Sequence, residues 1–535
     1  MADTETEIAL PDRARVWTPL RIALIAIAGF AIALRTVKLL SLFPVLVDES
    51  IYLRWAEIID HQGQWFISLL DAKQPLSYWI YALLRKGLTN VDPLVSARVV
   101  SVLAGCASTV LLFGLGKRLS GEAAGVMAAL FYALLPYGVL YDRLAYTDAF
   151  VNCFALAIAV ASVDCFRERS PTRSRALIAG VLLGLGIFTK STVAQFALLP
   201  LVAAFIWQRR QPALAATRLA QIFTVAALFP FLSYLCVPDA PNFPINNLLL
   251  HHTSFFTPLA VLIENPVVNL KQNAILLFEY FSAYVTLGFA VVALASVVYL
   301  AKQRQPAAAL ACVAFVVPVL FQMIVLEYFP SRYVFPHIWP LILAAAVMIH
   351  RLAQSDRRAV AAGALAAIAA FSLGSGSIQL LQSPIRRLHP IDAAEFVSSG
   401  PFSGYGIQEA VKYLKDQASA GSLTVLTDPI WGTPADAIYP YLNRRYGIRV
   451  YDAWWTQMSD QEPLLPTGRS EVMKSQYERV TAGFVDFDLL PRVFYVTDTN
   501  YHTPADVVRR QQNARLVARF PKQNGRDSID VYQLR

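Results

Sequence analysis

The chain has 535 residues, of which 56% are hydrophobic and only 16% charged, and it carries a formal net charge of +9. Soluble domains hold about a quarter charged residues, and one soluble core does not grow to this length on so few, so a soluble globular protein is excluded. The Lys and Arg residues fall in short clusters between apolar runs, which is the positive-inside distribution of a membrane protein and not the basic face of a nucleic-acid binder.

The first apolar run, Ile22–Leu34, follows Arg13, Arg15 and Arg21 and continues through Leu39 to Val47 without a small-residue cleavage site. It therefore reads as a retained span and not as a signal peptide. At roughly 20 apolar residues per span, about eleven transmembrane helices are expected. They lie near 22–43, 95–116, 121–140, 147–166, 176–190, 192–207, 216–237, 274–300, 306–326, 333–350 and 358–378, the fifth and sixth short enough for a tight hairpin. With the N-terminus cytoplasmic, Lys117-Arg118, Arg167 to Arg175, Arg209-Arg210, Lys302/Arg304 and Arg351 to Arg358 all fall on the inner side. An odd number of spans then places the C-terminus outside. The outer side receives a long first loop, residues 44–94, with interfacial helices, and everything after about 379.

Residues 379–535 change texture. "GIQEAVKYLKDQ" (406–417) has helical spacing, while "SLTVLTD", "GIRVYDAWW", "RVFYVTD" and "SIDVYQLR" read as short strands. The expected architecture is a polytopic α-helical membrane protein, residues 1–378, followed by a C-terminal extracytoplasmic (periplasmic) α/β domain over 379–535. The five cysteines, Cys106, Cys153, Cys165, Cys236 and Cys312, sit in apolar runs without metal-binding spacing and read as small core residues.

Charges at the outer ends of spans are the informative ones, because they are costly near lipid. Asp48-Glu49 follows the first span, where acidic residues also suit a helix N-terminus. Lys73 lies in "DAKQPLSYW" with Tyr78 beside it; it could hold a lipid phosphate or snorkel to headgroups. "LYDRLAYTDAF" supplies Asp142, Arg143 and Asp148, the last of which could simply cap the fourth span. Lys190 stands between two apolar runs, and "LEYFPSRYVFPHIWP" adds Arg332, Tyr333 and His337 at the mouth of the tenth, His337 reading equally as a satisfied interfacial histidine. His251-His252 form a pair with no third ligand nearby, which is weak as a metal motif.

Two acidic centres and three or four cations are thus expected on one membrane face. Sugar transfer from a lipid phosphate needs a carboxylate to take the proton of the attacking hydroxyl, and cations to neutralise the departing phosphate. The alternative is a transporter or flippase for polyprenyl-linked lipids or small molecules. That reading expects internal repeats and charges near the midplane, and neither pattern is visible.

The stretches "VDESIYLRWAEI", "AKQPLSYWIYALL", "LAYTDAF", "GLGIFTKSTVAQFALLP" and "SRYVFPHIWPLILAAA" resemble, in order and spacing, motifs of the bacterial C-type membrane glycosyltransferases. Among these they are similar to the protein O-mannosyltransferases and the lipid A aminoarabinose transferase. The resemblance implies an inverting transfer from a polyprenyl-phosphate sugar to an envelope glycan, lipid or protein on the outer face of a bacterial cytoplasmic membrane. It implies Asp48 as catalytic carboxylate with Glu49 beside it, and Asp148 as a second acidic group. It casts Lys73, Lys190 and Arg332 with Tyr333 as donor-phosphate contacts; Tyr78, Asp142, Arg143 and His337, read from their own positions at the span ends, complete the substrate-binding candidates. Gln74 departs from the family's Lys-Pro-Pro pattern, and Ala72 stands where the aminoarabinose enzyme has a metal-holding Glu. No cofactor is therefore carried over, and a divalent metal is left open.

Overall fold

The computed structural model describes residues 19–71, 73–168, 172–236, 255–355, 358–397, 403–428, 432–442, 447–452, 492–501, 503–510, 513–523 and 525–534. The protein is a helical bundle with a sheet domain on one end. Among the described residues ten α-helices come first: α1 (Pro19–Thr36), α2 (Val47–Gln62), α3 (Leu76–Gly87), α4 (Pro93–Ser120), α5 (Glu122–Leu134), α6 (Pro136–Tyr141), α7 (Asp148–Phe166), α8 (Arg173–Thr189), α9 (Leu198–Gln208) and α10 (Pro212–Cys236). Among the described residues, seven helical stretches are long and apolar enough to cross a membrane. An eighth is the pair Leu270–Val285 and Leu287–Lys302, bent by 111°. The hydropathy count of about eleven exceeds this because α1 and α5 are shorter apolar helices and α8 has 17 residues.

Local chemistry places the helix ends. Asp92 accepts from Leu94 N at 2.7 Å ahead of Pro93, which starts α4; Lys117 and Arg118 close it against the negative end of its dipole. Helices approach closely where side chains vanish: a Cβ on Gly116 of α4 would lie 2.8 Å from the Cα of Gly125 on α5. The span Ser331–Ala353 is the buried centre of the bundle, while α10 and Ala359–Gln382 turn most of their surface outward. Phe205, Phe371 and Val291 are exposed apolar side chains of the kind a lipid tail covers. Cys236 and Cys312 belong to that outer surface rather than to the core, where Cys165 is buried.

Among the described residues after Gln382 a five-stranded sheet is built in the order β2-β1-β3-β5-β4. β1 (Leu423–Thr427) pairs in parallel with β2 (Ile448–Asp452) and β3 (Val493–Asp498). β5 (Ser528–Gln533) runs antiparallel to β3, and β4 (Arg515–Pro521) antiparallel to β5. The helix predicted at 406–417 forms at Ile407–Ala418. The strand predictions correspond to β1, β2, β3 and β5, with residues 453–455 outside the described set; β4 was not foreseen.

The sheet domain seats on the segment before α2. Gly404 N donates to Val45 O at 3.0 Å, and Leu46 bridges Ser403. Lys522, in a buried pair with Asp498, donates to Ser403 O at 3.0 Å. Neither Gly404 nor Gly432 has room for a Cβ: it would meet Val45 O at 2.3 Å in one case and Val47 Cγ2 at 2.2 Å in the other.

Candidate active site

The site begins at the N-terminus of α2. Glu49 reaches back to accept from Leu46 N at 3.1 Å, closing the first turn. The same carboxylate takes two bonds from Arg98 of α4, Nε at 2.9 Å and Nη2 at 2.7 Å, and one from Ala145 N at 2.7 Å. Arg98 spends its remaining donors on the carbonyls of Leu39, Phe43 and Pro44. Both side chains are fully buried. Glu49 is therefore a tie between α2, α4 and the loop before α7, and it has no face left for a substrate.

That tie sets Asp48, the residue before it, against a group of cations. Arg332 pairs with Asp48 through Nη1, and Tyr52 OH donates to the same oxygen at 3.4 Å. Burial pushes the Asp48 carboxyl up, but the charges of Arg332, Lys73 and Lys190 outweigh it and hold the group below the usual carboxylate range. Lys190 sits where α8 stops: its backbone is extended, and its ammonium meets Asp148, the first residue of α7, at 2.7 Å. The Tyr333 ring joins the two pairs, 5.2 Å from Lys190 Nζ and 5.7 Å from Arg332 Cζ. Lys73 is half-buried on the turn after the 3₁₀ helix Ile67–Asp71 and makes no ion pair among the described residues. Its neighbour Gln74 anchors that turn, accepting from Ser233 of α10 at 3.2 Å. Arg332 keeps spare capacity, since its Nε is buried without a partner among the described residues.

Asp48, Asp148, Lys73, Lys190, Arg332 and Tyr333 thus converge from five separate parts of the chain. Other candidates stand elsewhere. Asp142 is buried against Arg35 of α1 at 2.9 Å and Tyr132 OH at 3.0 Å. Arg143 donates to Val37 O, and its Nε and Nη1 are buried without partners among the described residues. His337 lies inside the bundle, stacked on Phe196 at 4.9 Å, with Nδ1 on Ala314 O at 2.9 Å. Tyr78 packs on Tyr52, the hydroxyl partner of Asp48, at 5.0 Å and on Trp55 at 4.9 Å. The residues that sequence reasoning passed over are Arg98, Tyr146 and Glu395. A lone arginine inside the apolar run of α4 was the available signal for the first.

A separate cleft of about 790 Å³ opens between the far end of α2 and the sheet domain, lined by Arg54, Glu57, Asp60, Arg85, Tyr439 and Arg449. Asp48 and Lys190 are not part of its wall, and its acids pair locally, Glu57 with Arg54 and Asp60 with Arg85. Among the described residues no three His, Cys, Asp or Glu side chains gather as a metal set; His251-His252 lie outside those residues. The donor set of the site does not suit a divalent ion, because Asp48 and Asp148 are each engaged by a cation.

The fold has counterparts among solved structures, and part of the chain matches one family model. Residues 72–236 match the family described as dolichyl-phosphate-mannose-protein mannosyltransferase. The structure of ArnT from Cupriavidus metallidurans bound to undecaprenyl phosphate superposes with a TM-score of 0.61 at 12% identity, over 96% of this chain and 98% of that one. The apo form of that protein gives 0.62 at 13% identity, over 96% and 97%. The apo oligosaccharyltransferase of Archaeoglobus fulgidus gives 0.51 at 10% identity, over 96% of this chain and 75% of that one. At such identities the likeness is one of fold. No curated protein sequence matches the chain.

Proposed function

We propose that the protein is an inverting glycosyltransferase that moves a sugar from a polyprenyl phosphate to a hydroxyl of an envelope glycan, lipid or protein. The observation that carries this reading is the setting of Asp48, one carboxylate held among three cations at the end of an apolar bundle. A transporter reading expects its charges near the bilayer midplane, whereas these gather at the end of the bundle.

In the resting site Arg332 neutralises Asp48. A donor phosphate competes for Arg332, using the spare Nε as well, and is approached by the point charges of Lys73 and Lys190. Asp48, released from its pair, becomes a stronger base. The acceptor oxygen then bonds to the anomeric carbon as the bond from that carbon to the phosphate oxygen breaks. The hydroxyl proton passes to Asp48, and the new charge on the leaving phosphate is met by the three cations. One displacement with one base inverts the anomeric centre. Asp148 keeps Lys190 in place and takes no part in bond-making. The ArnT structure that holds undecaprenyl phosphate supports a lipid-phosphate donor here.

On this reading the site and the sheet domain face the outside of a bacterial cytoplasmic membrane, with the N-terminus inside. The test is incubation of the purified protein with a panel of polyprenyl-phosphate sugars and scoring of free polyprenyl phosphate. Release with at least one sugar is expected; a panel with no release above the protein-free control would overturn the reading.

A further inference from the structure

The short helix Pro390–Phe396, which joins the last long apolar helix to the sheet domain, grips the turn that carries Arg332. Asp392 accepts from Ser331 Oγ at 2.7 Å and also from Tyr284 OH. Ser331 is held in turn by the hydroxyls of Tyr141, at 2.6 Å from its Oγ, and Tyr137, at 2.8 Å from its carbonyl. One turn along the same helix, Glu395 accepts from Tyr146 OH at 3.2 Å. The Tyr146 ring lies 5.8 Å from the Arg332 guanidinium carbon. Glu395 is thus a second carboxylate within the field of Arg332, which also pairs with Asp48. The cradle for an anion has one cation shared between two acids.

We infer that Glu395 is a positioning residue that takes up a proton as the anionic donor enters the Arg332 cradle, so that donor binding and protonation of this connector helix are linked. The inference rests on the donor reading above. Several groups face Glu395: Arg332 from the turn at Ser331–Val334, Asp48 from α2, Tyr146 from the loop before α7, Tyr328 from the loop before Arg332, and Asp392 from its own helix. Burial pushes the Glu395 carboxyl up to about 7, against the pull of Arg332, and the Asp48 and Asp392 charges add to the rise. An arriving phosphate adds negative charge and takes Arg332 for itself, so the donor-bound pKa lies higher still.

The sign follows from linkage. A group whose pKa is higher in the bound state favours binding below its free pKa, and that advantage is lost as pH rises through the free value towards the bound one. Donor affinity should therefore fall from below neutral pH to above it. A bound-state rise of one unit corresponds to about tenfold in affinity.

The test uses undecaprenyl methyl phosphate, a diester that keeps one charge across the range and offers no sugar for the site to reject. It is titrated into the purified full-length protein between about pH 5.5 and about pH 8.5. The wild-type protein should lose about tenfold in affinity across that range. Glu395→Gln should bind with a flat profile. Tyr146→Phe, which removes the bond that steadies the ionised form, should move the transition to higher pH. A wild-type profile that slopes and is unchanged by Glu395→Gln would overturn the assignment while leaving the donor reading intact. A flat wild-type profile would overturn it too. No binding by the wild-type protein at any pH would instead sink the donor reading, and this inference with it.

Discussion

At the residue scale, adjacent acids do different work. Asp48 and Glu49 are chemically alike and one position apart, yet Glu49 is sealed behind four donors while Asp48 meets Arg332. Nothing in the local pattern "VDES" separates the two; only Arg98, about fifty residues on, does. The same limit explains Asp142 and Arg143. A charge at the end of a span is either in the site or tied to a neighbouring helix, and the partner that decides, here Arg35 of α1, lies far off in sequence. The charges themselves, and their gathering at one end, were legible because lipid penalises unpaired charge. Two predictions follow from the pairs. Arg98→Leu strands a buried carboxylate and should cost about 3–5 kcal/mol, read as a lowered thermal midpoint in detergent; restoring much of it with Glu49→Gln in the same chain would confirm the cause, and wild-type stability of the single variant would refute it. Lys190→Ala should weaken apparent donor affinity more than apparent acceptor affinity if its ammonium meets the donor phosphate as proposed. Equal or reversed effects in steady-state kinetics would count against that role.

At the scale of elements, the site depends on breaks in helices rather than on their runs. Lys190 stands at the end of α8, Asp148 at the start of α7, Asp48 in the first turn of α2, and Arg332 in a four-residue turn after an extended Pro330. Hydropathy finds the apolar runs and, by default, the breaks between them. It does not find β4, whose Arg515 and Arg519 break the apolar alternation and whose position at the sheet edge tolerates such charge. The sheet domain acts on the site through the strand-like pairing of residues 45–46 with 403–404. Gly404→Val would drive a side chain into the Val45 carbonyl and displace the start of α2. The expected result is a fall in kcat of at least about tenfold with donor binding preserved. Loss of donor binding with an unchanged turnover number would contradict it.

For the whole molecule, the proposed reaction requires one orientation in the membrane. The chemistry, the connector helix and the sheet domain share an end of the bundle, and the Lys/Arg clusters, such as Lys117-Arg118 closing α4, lie at the other. Ser419 and Gln303 are exposed positions at these two ends. In intact cells, with the five native cysteines replaced by Ser, a membrane-impermeant thiol reagent should label Ser419→Cys and spare Gln303→Cys, and the reverse pattern would invert the topology. The central claim is narrower: Asp48 takes the acceptor's proton while the cations hold the donor. The most direct measurement compares Asp48→Asn with the wild type for turnover and for donor binding in the same preparation. The account predicts a loss of turnover of about a thousandfold or more, with donor binding retained or tightened because Arg332 no longer has a carboxylate to leave. Turnover close to that of the wild type in a folded, inserted Asp48→Asn protein would contradict it.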